Sequence, residues 1–417
     1  MNKAAKKTIL AMSILYYVLC YISDSLPGGQ LLIAFPLTAM MFVYLRSNRG
    51  VIKLCAIWYF IYILAFLGFC MLSRLWAEDS RAAVPKINSL LFAMLGMIVI
   101  VMCTYSTHDV DILLKTIMYG GYFVCLFIAF RYGWRGILSL VRNDSRISNE
   151  VLNANTLGMC ASYSVVINVH YFINRKFKLQ DLAVLPAILL LLASGSRKAI
   201  IIVILGVFGL LLLKNMNNRD ILRTVLRIIL ASVLLVGSLF LLSKLPMFSS
   251  VTARFKNLIS LLQGNETRST SSAWIRFAYI ELGMELFRSH PWLGIGIANA
   301  NIYTGRYYGH NHYLHNNFVE LLACGGIIGF LIYYSIWMYL LSVFIKCRDH
   351  RDRKYNICFV LLILHMAMDY GAVTYYGKGT YVFLFLFWME AKQLLSERRY
   401  RRLNRQALFE ESEELTP

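Results

Sequence analysis

His315-Asn316-Asn317-Phe318-Val319-Glu320-Leu321-Leu322-Ala323-Cys324-Gly325-Gly326-Ile327-Ile328-Gly329 opens on polar residues and then runs apolar to about residue 345. That run is longer than the roughly 20 residues a helix needs to cross a bilayer. A histidine and an asparagine at the mouth of such a helix can hydrogen-bond a substrate while the helix holds them at a fixed depth. The spacing is His-Asn, nine residues, Gly, two residues, Gly, which puts Gly326 and Gly329 on one helical face where a neighbouring backbone could approach. His310 and His312 stand just upstream, but the two glycines are in register with His315. A lone histidine here would read as an interfacial helix cap; the full spacing turns the reading toward a site.

The surrounding chain agrees with a membrane setting. It is 58% hydrophobic and only 15% charged, with a mean hydropathy of +0.58, far more apolar than a soluble domain. Apolar runs near 9–23, 30–45, 52–73, 87–105, 112–130, 152–173, 179–194, 198–213, 221–243, 317–345, 355–371 and 379–395 predict about twelve transmembrane helices. The expected fold is an all-α polytopic bundle with a large extracytoplasmic loop, 244–316, between the ninth and tenth spans. The basic amino-terminal run leads into a first span with no small-residue cleavage site, so it is read as retained. The net charge of +20 comes from short clusters between apolar runs rather than from a continuous basic stripe, which argues against nucleic acid. Nine cysteines, scattered and without a CxxC pair, predict neither a disulfide framework nor a metal site, and no cofactor is expected.

With the amino terminus inside, 25 of the 42 basic residues fall in cytoplasmic segments, as the positive-inside rule asks, and both termini are cytoplasmic. The other 17 are 12 arginines and 5 lysines. Arginine grips phosphate oxygens in a planar fork, so an arginine-rich outer face points to a phosphorylated ligand. Three outer segments stand out. Loop 131–151 holds Arg135 and Arg146 beside Tyr132 and Trp134, and reads equally as substrate contact or as an anchored interfacial loop. The turn Ser194-Gly195-Ser196-Arg197-Lys198 sets Arg197 at a membrane boundary. Loop 244–316 has an amphipathic part, Trp274 to Arg288, that would place Arg276 near a helix start. Trp292, Tyr303, Tyr307, Tyr308 and Tyr313 offer flat faces for sugars or an aromatic belt. Asp369 in an apolar run is costly and so a candidate for substrate contact; Lys378 and Tyr375-Tyr376 follow it.

The order Arg276, Pro291-Trp292-Leu293-Gly294-Ile295-Gly296, His315-Asn316 and the two glycines resembles the O-antigen ligase and polysaccharide-polymerase superfamily of bacterial membrane glycosyltransferases. The Asn153-Ala154-Asn155-Thr156-Leu157-Gly158 stretch and the Ser-Gly-Ser-Arg turn are similar to further segments of that family. The resemblance spans about residues 150–345 and implies a GT-C-like architecture: an amino-terminal bundle over 1–151, a catalytic region over 152–345, closing helices over 346–395 and a cytoplasmic tail over 396–417. It implies His315, Arg276 and Arg197 as catalytic residues, with Asn316, Arg135, Arg146, His310, His312, Tyr313 and Asp369 as substrate contacts.

The activity implied is metal-independent, inverting transfer of an undecaprenyl-diphosphate-linked glycan to a sugar acceptor at the outer face of the bacterial plasma membrane. A flippase and a chain-length regulator are the expected partners. A polymerase of lipid-linked repeat units is favoured because nothing points to a lipid A-core acceptor; a ligase is the alternative. Two readings from other classes are a transporter, disfavoured by the lack of an internal repeat, and a non-catalytic assembly partner, which would tolerate loss of His315.

Overall fold

The computed structural model describes residues 3–26, 28–52, 56–105, 109–142, 152–176, 178–215, 272–350 and 352–414, with positions 226 and 229. The expected ninth span, 221–243, and the first part of the long loop, 244–271, lie outside the described residues. So does Arg146.

Helix after helix follows from the apolar runs, because in a bilayer each segment must satisfy its own backbone. In chain order they are α1 (Lys3–Ile22), α2 (Ala34–Ser47), α3 (Ile57–Leu72), α4 (Val84–Tyr105), α5 (Val110–Arg142), α6 (Ala154–Asn174), α7 (Val184–Ala193) and α8 (Arg197–Asn215). After the long gap come α9 (Ser272–Ser289), α10 (Ala300–Tyr308), α11 (Asn317–Lys346), α12 (Arg353–Met368) and α13 (Lys378–Glu414). No strand occurs among the described residues. Among the described residues, six segments are long and apolar enough to cross a membrane: Lys3–Ile22, Ile57–Leu75, Val84–Thr104, Val110–Gly133, Ala154–Asn174 and Asn317–Lys346. The chain is a multi-pass membrane protein. The run expected at 30–45 falls on a short helix, Gly29–Leu32, and the 14-residue α2, with Ile33 between them in helical conformation.

Two details differ from the sequence reading. The segment expected to leave the membrane as a loop at 131 continues as helix to Arg142, interrupted at Gly133, whose φ of 70° and ψ of 153° let the chain break and resume. And α11 does not present Gly326 and Gly329 as one smooth face. It breaks at Gly326 (φ 61°, ψ −168°), a conformation open essentially to glycine alone. A side chain there would run into the Trp292 carbonyl. Gly329 instead leaves room for the Phe69 ring, 2.5 Å from where its Cβ would stand.

The break frees backbone groups that the 291–296 segment then satisfies. Ile295 and Gly296 amides donate to the carbonyls of Ala323 (3.0 Å) and Cys324 (3.0 Å), while Ile327 and Ile328 amides donate to Pro291 (2.8 Å) and Trp292 (3.2 Å). Gly294 and Gly296, both with positive φ, permit this approach; a Cβ on Gly294 would strike Cys324 and Gly325 backbone. The Pro-Trp-Leu-Gly-Ile-Gly motif and the glycines after His315 are thus two halves of one interlock. Helix α9 lies across the start of α11, with Gly283 making room for Leu314 and Val319.

Candidate active site

The carboxyl end of α1, the amino ends of α6 and α8, the segment before α11 and the α12–α13 connection meet at one end of the bundle. They enclose a cavity of about 410 Å³ whose wall includes Asn153, Asn155, Lys198, Tyr313, His315 and Lys378. Among the described residues that line it there is no aspartate or glutamate.

The turn before α8 is seated by small residues. A Cβ on Gly158 would fall 2.7 Å from Ser194 Oγ and 3.0 Å from Ser196 Cβ, so α6 accepts the turn only because it has none there. Ser162 Oγ donates to the Ala199 carbonyl at 2.8 Å and locks α8 to α6. This brings Lys198 onto the cavity wall, its chain packed on Gly371, where a Cβ would come 2.7 Å from Lys198 Cε. Arg197 opens α8, but its side chain lies outside the described residues. Among the described side chains of this turn, Lys198 is the cation on the cavity wall.

His315 carries a φ of 57°, the left-handed region that side chains other than glycine enter at a cost. Both its neighbours are pinned. The Leu314 amide donates to Glu320 Oε2 at 2.7 Å. Asn316 caps α11, its Oδ1 accepting from the Val319 amide at 3.1 Å. The Asn317 amide donates to the Asp369 carbonyl at 2.7 Å. The imidazole stacks on Tyr279 with ring centres 6.1 Å apart and planes at 3°. Tyr313 tilts against it at 4.3 Å, and the His312 ring lies 5.9 Å away. Burial pulls the His315 pKa down to about 4, helped by the charges of Arg276 and Lys198 and then by His312. The ring is therefore neutral at neutral pH, with a free lone pair for a proton. Arg276, on α9, is in electrostatic reach of His315, Tyr313 and Lys198.

Asp369 is buried and both its oxygens are taken: Oδ2 accepts from Tyr334 (2.8 Å) and Asn317 Nδ2 (3.3 Å), and Oδ1 from Thr374 (2.5 Å). Asn317 Oδ1 accepts in turn from the Thr374 and Tyr375 amides. The aspartate ties the start of α11 to the α12–α13 connection and does not line the cavity. Asn316 is likewise occupied as a cap. His310 and His312 are exposed; the His312 backbone is held by Thr304, which donates to its carbonyl at 2.7 Å and accepts from its amide at 2.9 Å. Arg135 is exposed, past the break in α5, and is not part of the cavity wall. Of the five aromatics expected near a sugar, Tyr313 alone lines the cavity.

The structure thus brings together His315, Arg276, Tyr313 and His312, adds Lys198, sets Lys378, read in sequence as outward-facing, on the same wall, and turns Glu320, a candidate partner for the imidazole one turn on, to the Leu314 amide instead. Lys198 adjoins Arg197 in a turn whose rotation sequence alone does not set. The signal for Glu320 was its place about one turn after the histidine.

No curated protein matches the chain. Residues 182–334 match the model of the O-antigen ligase family. That stretch holds Lys198, Arg276, His315 and the broken start of α11, and over it the chain is similar to the O-antigen ligase family.

Proposed function

We propose that the protein polymerises undecaprenyl-diphosphate-linked oligosaccharide repeat units at the outer face of the bacterial plasma membrane, with both termini cytoplasmic. The observation that carries this reading is a cavity with Lys198 and Lys378 on its wall, no acid among the described residues that line it, and a neutral His315 beside them. Departure of a lipid diphosphate builds negative charge on the leaving oxygens. Ammonium and guanidinium groups held in advance stabilise that charge without reorganising; Lys198 on the cavity wall, with Arg276 in electrostatic reach of it and of His315, supports that role. Metal-independent transfer is then the simplest chemistry.

The acceptor hydroxyl must lose its proton as it attacks the anomeric carbon. His315, unprotonated and fixed by its pinned neighbours, takes that proton or orients the hydroxyl. Attack opposite the departing diphosphate inverts the anomeric centre. In a polymerase the acceptor also carries a lipid diphosphate; Lys378, a second basic residue on the cavity wall whose ammonium lies by Ser23 Oγ, supports that choice. Arg197, Arg135 and Arg146 remain candidate phosphate contacts around the entrance.

The test is the size distribution of undecaprenyl-diphosphate-linked glycans in cells lacking the protein. Accumulated single repeat units are expected. Full-length chains retained on the carrier would mean a ligase, and no accumulation of either would overturn the transferase reading.

A further inference from the structure

Behind His315, the cavity reaches an aromatic layer that the chemistry above does not use. Tyr163 on α6, His365 on α12 and Phe383 on α13 all line the cavity. His365 is 4% exposed and Tyr163 is 2% exposed. The imidazole stacks on Trp337 (5.2 Å between centres, planes at 9°) and faces Tyr163 at 6.0 Å and Phe383 at 5.2 Å. Yet neither ring nitrogen of His365, nor the Tyr163 hydroxyl, has a hydrogen-bond partner among the described residues. Buried polar atoms are nearly always paired, and leaving them unpaired opposes folding. Apolar residues of the same shape would pack this layer without that cost.

The type of ligand follows from what these atoms can do. A neutral imidazole offers one donor and one acceptor, and a phenol offers both from one oxygen. A phosphate oxygen at neutral pH chiefly accepts, so it leaves the imidazole acceptor unpaired. A sugar hydroxyl both gives and takes a hydrogen bond and pairs with either group.

We propose that Tyr163 and His365 form a sugar-hydroxyl subsite in this cavity, holding the carrier-proximal sugar of a glycan whose diphosphate sits by Lys198. The proposal rests on the reading that the ligand is a lipid-linked glycan. It adds that recognition extends past the diphosphate to the sugar itself.

Full-length protein in nanodiscs is titrated with two probes, an undecaprenyl-diphosphate-linked oligosaccharide and sugar-free undecaprenyl diphosphate. Tyr163→Phe and His365→Phe keep the rings and remove the polar atoms. Each variant is expected to bind the glycosylated lipid roughly three- to tenfold more weakly, the value of one hydrogen bond. Each should bind the sugar-free lipid as the wild type does, with an unchanged or higher thermal midpoint. Lys198→Ala is expected to weaken both probes. Unchanged affinity of both variants for the glycosylated lipid overturns the subsite while leaving the transferase reading intact. A lower midpoint with equal loss for both probes assigns the two residues to packing and overturns it as well. A wild-type protein that binds neither probe removes the transferase reading, and the subsite falls with it.

Discussion

Glu320 should act on turnover through one backbone hydrogen bond. Its Oε2 accepts from the Leu314 amide at 2.7 Å, deep in the protein and immediately before the left-handed His315. Glu320→Ala leaves that amide buried and unpaired, a loss of about 1–3 kcal/mol. The left-handed backbone is itself disfavoured by about 1–2 kcal/mol for a residue with a side chain. Once Leu314 is released, relaxation of His315 toward negative φ recovers that amount. The share of molecules with the imidazole in place then falls by roughly 5- to 30-fold, given that each 1.4 kcal/mol is a factor of ten. The assay is the initial rate of glycan extension by purified enzyme at saturating lipid-linked donor, with donor affinity measured separately. For Glu320→Ala we expect kcat to drop by about tenfold with donor affinity near wild type, since Lys198 and Arg276 are untouched. Glu320→Gln keeps an oxygen that accepts from Leu314, and should recover most of the rate. A glutamine variant as slow as the alanine would show that Glu320 works through its charge. An alanine variant at the wild-type rate would show that the clamp does not hold His315 at all.

Three further outcomes are expected. His315 is held near a pKa of 4 by burial and adjacent cations, so it stays unprotonated as the pH falls from 7 to 5; kcat should be flat over that range, and an acidic limb near pH 6 to 7 that His315→Ala removes would contradict the assignment. Gly326→Ala forces a side chain against the Trp292 carbonyl at a backbone angle glycine alone enters readily; it should lower stability by at least about 1–3 kcal/mol, seen as a lower thermal midpoint in detergent, whereas Gly136→Ala on the far side of the α5 break should change little because only Tyr132 lies within 4 Å, at 3.9 Å. Asp369→Ala strips three buried donors of their shared acceptor and should destabilise the protein by at least about 1–3 kcal/mol, while the residual folded fraction keeps wild-type donor affinity.

The site was legible where chemistry and spacing coincide in one segment, and obscure where packing decides. His315 stood out because a histidine at the mouth of an apolar helix has few structural uses, and the glycines fixed which of three histidines to choose. Arg276 could be placed by its position in an amphipathic segment. At the turn before α8, the place of Lys198 on the cavity wall depends on how Gly158 seats Ser194 and Ser196, a contact between residues some forty apart. Asp369 was legible as costly, but a buried carboxylate pays for itself equally well as an anchor, and here its partners are Tyr334, Asn317 and Thr374. Tyr163 and His365 gave no signal, since each is one polar group in an apolar run and only the fold sets them in the same wall. Gly326 and Gly329 read as one face because ideal helical geometry makes them so; the break that separates them is a tertiary event, stabilised by a loop thirty residues upstream.

That interlock also limits how the cavity can open. Four backbone hydrogen bonds join residues 291–296 to α11 on both sides of Gly326, and at roughly 0.5–1.5 kcal/mol each they resist separation by about 2–6 kcal/mol. A swinging motion of this stretch would therefore occupy only a small fraction of molecules, so it travels with α11 as a rigid strut. On the proposed function, a long lipid-linked chain then enters from a direction that leaves this strut closed.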